Sequence, residues 1–169
     1  MSLVPEQHFL RSSFREMLIE HLFVGELPKL SWKTGACSLE IAKPEVDYQG
    51  YDIVAEENGI VRHIQLEAAH RNARVAMQKV HTALADKPCG CVIWIYSDED
   101  ALELGPFLFF GGPAGEPLPD ISEMRVARHT KGNAQGIKAE RLRIRVVNKG
   151  QFTPYARIEA LYEVLLGAA

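Results

Sequence analysis

Asp52, Gln65 and Glu67 are the residues of this chain whose types and spacing can do chemistry together. They belong to two short runs of apolar alternation, Asp52-Ile53-Val54-Ala55 and Val61-Arg62-His63-Ile64-Gln65-Leu66-Glu67-Ala68, joined by Glu56-Glu57-Asn58-Gly59. Strand side chains alternate in direction, so Ile64, Leu66 and Ala68 go one way while His63, Gln65 and Glu67 go the other. Asn-Gly is a preferred tip for a two-residue hairpin. Such a hairpin brings the oxygens of Asp52, Gln65 and Glu67 toward one point, where they suit a hard cation. Two carboxylates and an amide oxygen around magnesium are the donor chemistry of metal-dependent phosphodiester hydrolysis.

The elements that must position these groups follow from periodicity. Apolar residues Leu10, Phe14, Met17 and Leu18, with His21, predict an amphipathic helix from Pro5 to about Phe23, ended by Gly25 and Pro28. Glu16 and Glu20 fall together off that stripe. A strand is expected near Ser38 to Ala42, with Leu39 and Ile41 alternating against Ser38 and Glu40. Ala73, Ala76, Met77, Val80 and Leu84 predict a second helix over Asn72 to Ala85, with Arg71, Arg74, Gln78 and His81 on one flank and Lys79 on another. Cys91 to Tyr96 reads as a central strand covered on both faces. Ser97-Asp98-Glu99-Asp100 reads as a solvated turn or helix start rather than a metal site.

Further along, Leu108-Phe109-Phe110 is an apolar run, and the Gly/Pro segment from Gly111 to Pro117 is a loop without the Lys and Ser/Thr of a phosphate cradle. Arg141, Arg143 and Arg145 alternate with Leu142, Ile144 and Val146, which places three guanidinium groups on one strand face. That face suits contacts to a sugar-phosphate backbone, or else protects an exposed sheet edge. Thr153-Pro154 reads as the N-cap and first residue of a closing helix through Ile158, Leu161, Tyr162 and Leu165, stopped by Gly167.

The hairpin residues and their order resemble the PD-(D/E)XK nuclease superfamily, on Gly50-Tyr51-Asp52 and Gln65-Leu66-Glu67. The lead-in from Pro44 to Val54 is similar to that of uncharacterised members whose third strand reads Ile-Gln-Leu-Lys. The resemblance covers roughly residues 5 to 96 and implies an α/β domain with a restriction-endonuclease-like core: helix, three-stranded meander, second helix, fourth strand, in a mixed sheet flanked by helices. Residues 97 to 169 then elaborate a single domain. It implies Mg2+, or Mn2+ in its place, held by Asp52, Glu67 and Gln65, with a further acid from the first helix or first strand, Glu20 or Glu40. Glu67 departs from the family pattern, since it stands where Lys is expected to orient the attacking water and offset phosphate charge. Some restriction endonucleases with Glu at that position still cut. A cation from the second helix, Arg74 first and Arg71 second, is expected to fill the vacancy. The partner implied is DNA or RNA, and a second copy of the chain would allow both strands of a duplex to be cut.

Composition narrows the alternatives. A chain of 169 residues with 47% hydrophobic content is long enough for one sizeable core, and its formal charge of -3 makes any nucleic-acid surface local. Three Cys make no disulfide framework, and Cys89-Gly90-Cys91 reads as buried structure. The N-terminal residues do not read as a signal peptide and no run has the length of a membrane span, so a reducing cytoplasm is the expected location. The six His lack a zinc arrangement, and no Gly-x-Ser-x-Gly elbow is present. A nuclease fold kept only for binding nucleic acid or a protein partner stays open beside the hydrolytic reading, as does a structural or small-molecule module.

Overall fold

In the computed structural model, residues 11–46 and 48–167 are described. The expected start of the first helix, Pro5 to Leu10, and Asp47 of the lead-in lie outside them. Helix α1 is Ser12–Thr34. It does not stop near Gly25 and Pro28. Ile19, Phe23, Leu27 and Leu30 pack into the core on both sides of Pro28, and Gly35 ends the helix in the left-handed region with its N–H on the Trp32 carbonyl. The expected stripe is rotated accordingly: Phe14, Met17 and His21 are exposed.

Strands β1 (Glu40–Ala42), β2 (Ile53–Glu57) and β3 (Ile60–His70) form an antiparallel meander. Asn58 and Gly59 make the β2–β3 turn with φ of 54° and 76°. Two consecutive positive φ values define the type I′ turn that Asn-Gly favours. Next come β4 (Met77–His81), one turn of 3-10 helix over Thr82–Leu84, β5 (Gly90–Asp98) and β6 (Glu103–Gly111). The C-terminal part adds β7 (Val126–Arg128), β8 (Glu140–Asn148), β9 (Thr153–Tyr155) and α2 (Ile158–Leu166).

The main sheet has the order β1-β2-β3-β5-β6-β9, with β5 parallel to β3 and the other pairings antiparallel. A smaller sheet, β4-β8-β7, covers one face. The fold is therefore α/β with a mixed sheet. Central β5 is buried on both sides, as its apolar run requires: Cys91, Ile93 and Ile95 meet the helices, while Val92, Trp94 and Tyr96 join the second core. Burial pushes the Cys91 thiol up to about 12, in keeping with an inert structural cysteine.

The expected second helix does not form. A parallel neighbour of β3 requires a crossover, and here it carries β4 and a single 3-10 turn. Val80 and Leu84 are buried as the helical stripe demanded, but Ala76 and Met77 are exposed. Pairing with β8 supplies the backbone partners that a helix would have found within itself. Thr153-Pro154 likewise belongs to β9 at the sheet edge, where proline is tolerated, and the closing helix begins at Ile158. Gly167 ends it as expected.

Two buried polar groups lock the hairpin to the helices. Arg62 is wholly buried and donates to the carbonyls of Leu165 (3.1 Å), Val164 (2.8 Å) and Gly112 (3.2 Å), a cation at the C-terminus of α2. Glu57, at the end of β2, accepts from Ser31 Oγ of α1 at 2.5 Å and from the Tyr162 hydroxyl of α2.

Candidate functional site

Asp52 sits one residue before β2 and stays in the ladder through its N–H on the Ile64 carbonyl, 2.8 Å. Beyond Ile53 no β2 residue reaches Leu66 N–H, and Asp52 Oδ2 accepts it instead at 2.6 Å. That bond fixes the carboxylate beside β3. Gly50 makes the approach feasible: its φ is +72°, and a Cβ there would lie 2.4 Å from His81 Cβ.

On β3, Gln65 Nε2 donates to Glu67 Oε1 (2.8 Å) and to the Lys79 carbonyl of β4 (2.7 Å). The two acceptors orient the amide. They leave Gln65 Oε1 buried with no hydrogen-bond partner among the described residues. Glu67 is half-buried, and its pKa is raised chiefly by burial and also by the charges of Asp52 and Glu16. The Gln65 amide and the Lys79 ammonium oppose that rise.

Asp52, Leu66 and Glu67 form a wall shared by two cavities of opposite character. One, of about 430 Å³, is lined also by Tyr48, Gln65, Lys79, His81 and Arg141. The other, of about 390 Å³, lies against α1 and carries Glu16, Glu20 and Lys43. The hairpin thus separates a cationic side from an acidic one. A carboxylate pair set between them can hold a cation while a polyanion approaches from the cationic side.

The expected triad of Asp52, Gln65 and Glu67 is brought together. Glu20 lines the acidic cavity but is ion-paired with Lys43, and Glu16 is the α1 acid whose charge reaches Glu67. Glu40 is exposed on β1 opposite Glu56 and lines neither cavity. Arg74 is exposed in the crossover and also lines neither. Arg71 is drawn to the far end of β3, beside Asp98 (3.4 Å) and Glu103 (3.7 Å), so neither arginine is placed as the expected cation.

Lys79 is placed there instead. Its position was masked by the helical reading, under which it pointed away; as a strand, Met77-Gln78-Lys79-Val80-His81 puts Lys79 and His81 together opposite buried Val80.

The shared face of Arg141, Arg143 and Arg145 is broken by an irregularity in the β7–β8 pairing, where Val126 meets Arg145 but Ala127 meets Arg141. Arg141 lines the cationic cavity and Arg143 is exposed. Arg145 turns back to the carbonyls of Leu142 (2.7 Å) and Ser122 (3.4 Å). The acidic cluster after β5 is a turn: Asp98 Oδ1 accepts from Asp100 and Ala101 N–H, which holds its pKa below the usual carboxylate range.

Among the described residues, no group of three or more His, Cys, Asp or Glu is arranged to hold a metal ion, and no helix is long and apolar enough to cross a membrane. The chain matches no family model and no curated protein sequence.

Proposed function

We propose that this protein is a nuclease-like phosphodiesterase that uses Mg2+ or Mn2+ at Asp52, Glu67 and Gln65. The observation that carries this reading is Gln65: its amide nitrogen donates to Glu67, its oxygen is buried with no hydrogen-bond partner among the described residues, and Asp52 lines the same cavity. All three donors are hard oxygens, the set such cations take, and an amide oxygen without a protein partner is costly unless something binds it. The sheet supports the same reading. A helix, an antiparallel meander and a further strand parallel to the third agree with a restriction-endonuclease-like core, while β4 and a 3-10 turn stand where that core has its second helix.

A divalent ion at this site supplies a water of lowered pKa and charge neutralisation at the phosphate. The chain's own residues do the rest. Leu66 N–H holds Asp52 in place, and the Gln65 amide fixes Glu67. Lys79 and Arg141 bind the phosphate from the cationic cavity, with Lys79 in the role of the missing motif lysine. The substrate is DNA or RNA.

A second reading, nucleic-acid binding without turnover, draws on Glu67. Its burial favours the protonated form, which is a poor ligand. Cleavage of single- and double-stranded DNA and RNA with Mg2+ and Mn2+ decides between them. Turnover lost in Asp52→Asn and reduced at least a hundred-fold in Lys79→Ala supports hydrolysis, whereas binding without cleavage at any pH supports the second reading.

A further inference from the structure

We infer that the cationic cleft takes a single-stranded segment of nucleic acid, with one base stacked on Tyr48 and the adjoining phosphates against Lys79 and Arg141. This takes the polymer from the reading above and adds its strandedness. Tyr48 lines the cleft and is 68% exposed. The residues after it are pinned. Gly50 rests on His81, the Tyr51 ring meets His63 edge-on with centroids 4.9 Å apart, and the Lys87 ammonium stands 5.3 Å from the Tyr51 ring centre while donating to Gln49. A loop anchored at Gln49, Gly50 and Tyr51 presents Tyr48 at the rim rather than to either core.

An exposed aromatic face beside cations is the sequence-tolerant platform on which unstacked bases lie, because every base has a π-face. A duplex keeps its bases stacked on one another and offers none to Tyr48. The charge continues outward from the cleft. Residues 125–145 carry seven Lys or Arg and one acid in a chain whose net charge is -3. They form the β7–β8 ribbon, closed by His129 N–H on the Ala139 carbonyl, and Arg143 is exposed along it. On the other side of Asp52 and Glu67, Glu16 repels a polyanion, while Glu20 is paired with Lys43. The strand therefore has one favourable approach, over Tyr48 and along the ribbon.

The test is fluorescence anisotropy in EDTA, where metal-dependent turnover is suppressed, with labelled oligothymidylate, oligouridylate and a mixed-sequence duplex. The proteins are the wild type, Tyr48→Ala and Tyr48→Phe; the ring is exposed, so neither change threatens the fold. We expect the single strands to bind more tightly than the duplex. Tyr48→Ala should weaken them about ten-fold and Tyr48→Phe should leave them unchanged. The two phosphate contacts, at Lys79 and Arg141, give a slope of about -1.4 for log affinity against log salt. Equal or tighter duplex binding, wild-type affinity in Tyr48→Ala, or binding of neither single strand overturns the inference. Single-strand binding that passes these tests in a protein that never cleaves would instead remove the hydrolytic reading and leave this one standing.

Discussion

Glu57 is where the hairpin, α1 and α2 meet, and Tyr162→Phe tests whether that junction holds the site's scaffold together. Glu57 is 2% exposed and accepts from Ser31 and Tyr162. Removing the Tyr162 hydroxyl keeps the ring's packing but leaves one buried carboxyl oxygen without its donor. An unsatisfied buried group of this kind costs about 2 kcal/mol. For a chain of this length each kcal/mol is worth about 2–4 °C, so the melting temperature should fall by about 4–8 °C in a thermal scan followed by circular dichroism. The pH dependence gives a second check. Burial, and then the bond to Glu57, hold the folded Tyr162 pKa above its ordinary value of 10.0. Its contribution to stability is fully present below about pH 10 and is lost as pH rises toward the folded value, because the unfolded tyrosine ionises first. The gap between wild type and variant should therefore narrow above pH 10. A fall of less than about 1 °C at neutral pH would mean that the Tyr162 hydroxyl does not hold this junction together.

Other outcomes follow from the site itself. Glu67→Gln should raise the melting temperature at pH 7.5 and have little effect near pH 4. The folded pKa is raised by burial, so the penalty for the charge is present above that value and vanishes as pH falls through it. Gly50→Ala should destabilise the protein by roughly 1–3 kcal/mol in urea titration, since a Cβ there meets both a positive φ and His81. Lys79→Met should move the pH midpoint of manganese binding upward, because the lysine charge opposes the upward displacement of Glu67.

The hairpin was legible because two signals agreed on it: alternation on both sides and Asn58-Gly59 at the tip. The same alternation placed Gln65 and Glu67 on one face, and Asp52 followed from its position at the strand's start. The crossover was not legible. Ala73, Ala76, Met77, Val80 and Leu84 satisfy a helical period, while the partner that makes β4 a strand is β8, distant in sequence. With that strand went the positions of Lys79 and His81, and hence the cationic wall of the cleft. Local spacing also could not show the irregularity that separates Arg141 from Arg145, nor the packing of Leu27 and Leu30 that carries α1 past Pro28. Each miss has the same physical origin, a long-range contact overriding a local preference.

The proposed function rests on a divalent-cation site formed by Asp52, Glu67 and Gln65. Isothermal titration of Mn2+ into the folded wild-type protein, Asp52→Asn and Gln65→Leu at pH 7.5 tests it most directly. Saturable binding to the wild type is expected, abolished by Asp52→Asn and weakened about ten-fold or more by Gln65→Leu. No binding to the wild type, or equal binding to all three proteins, would contradict it.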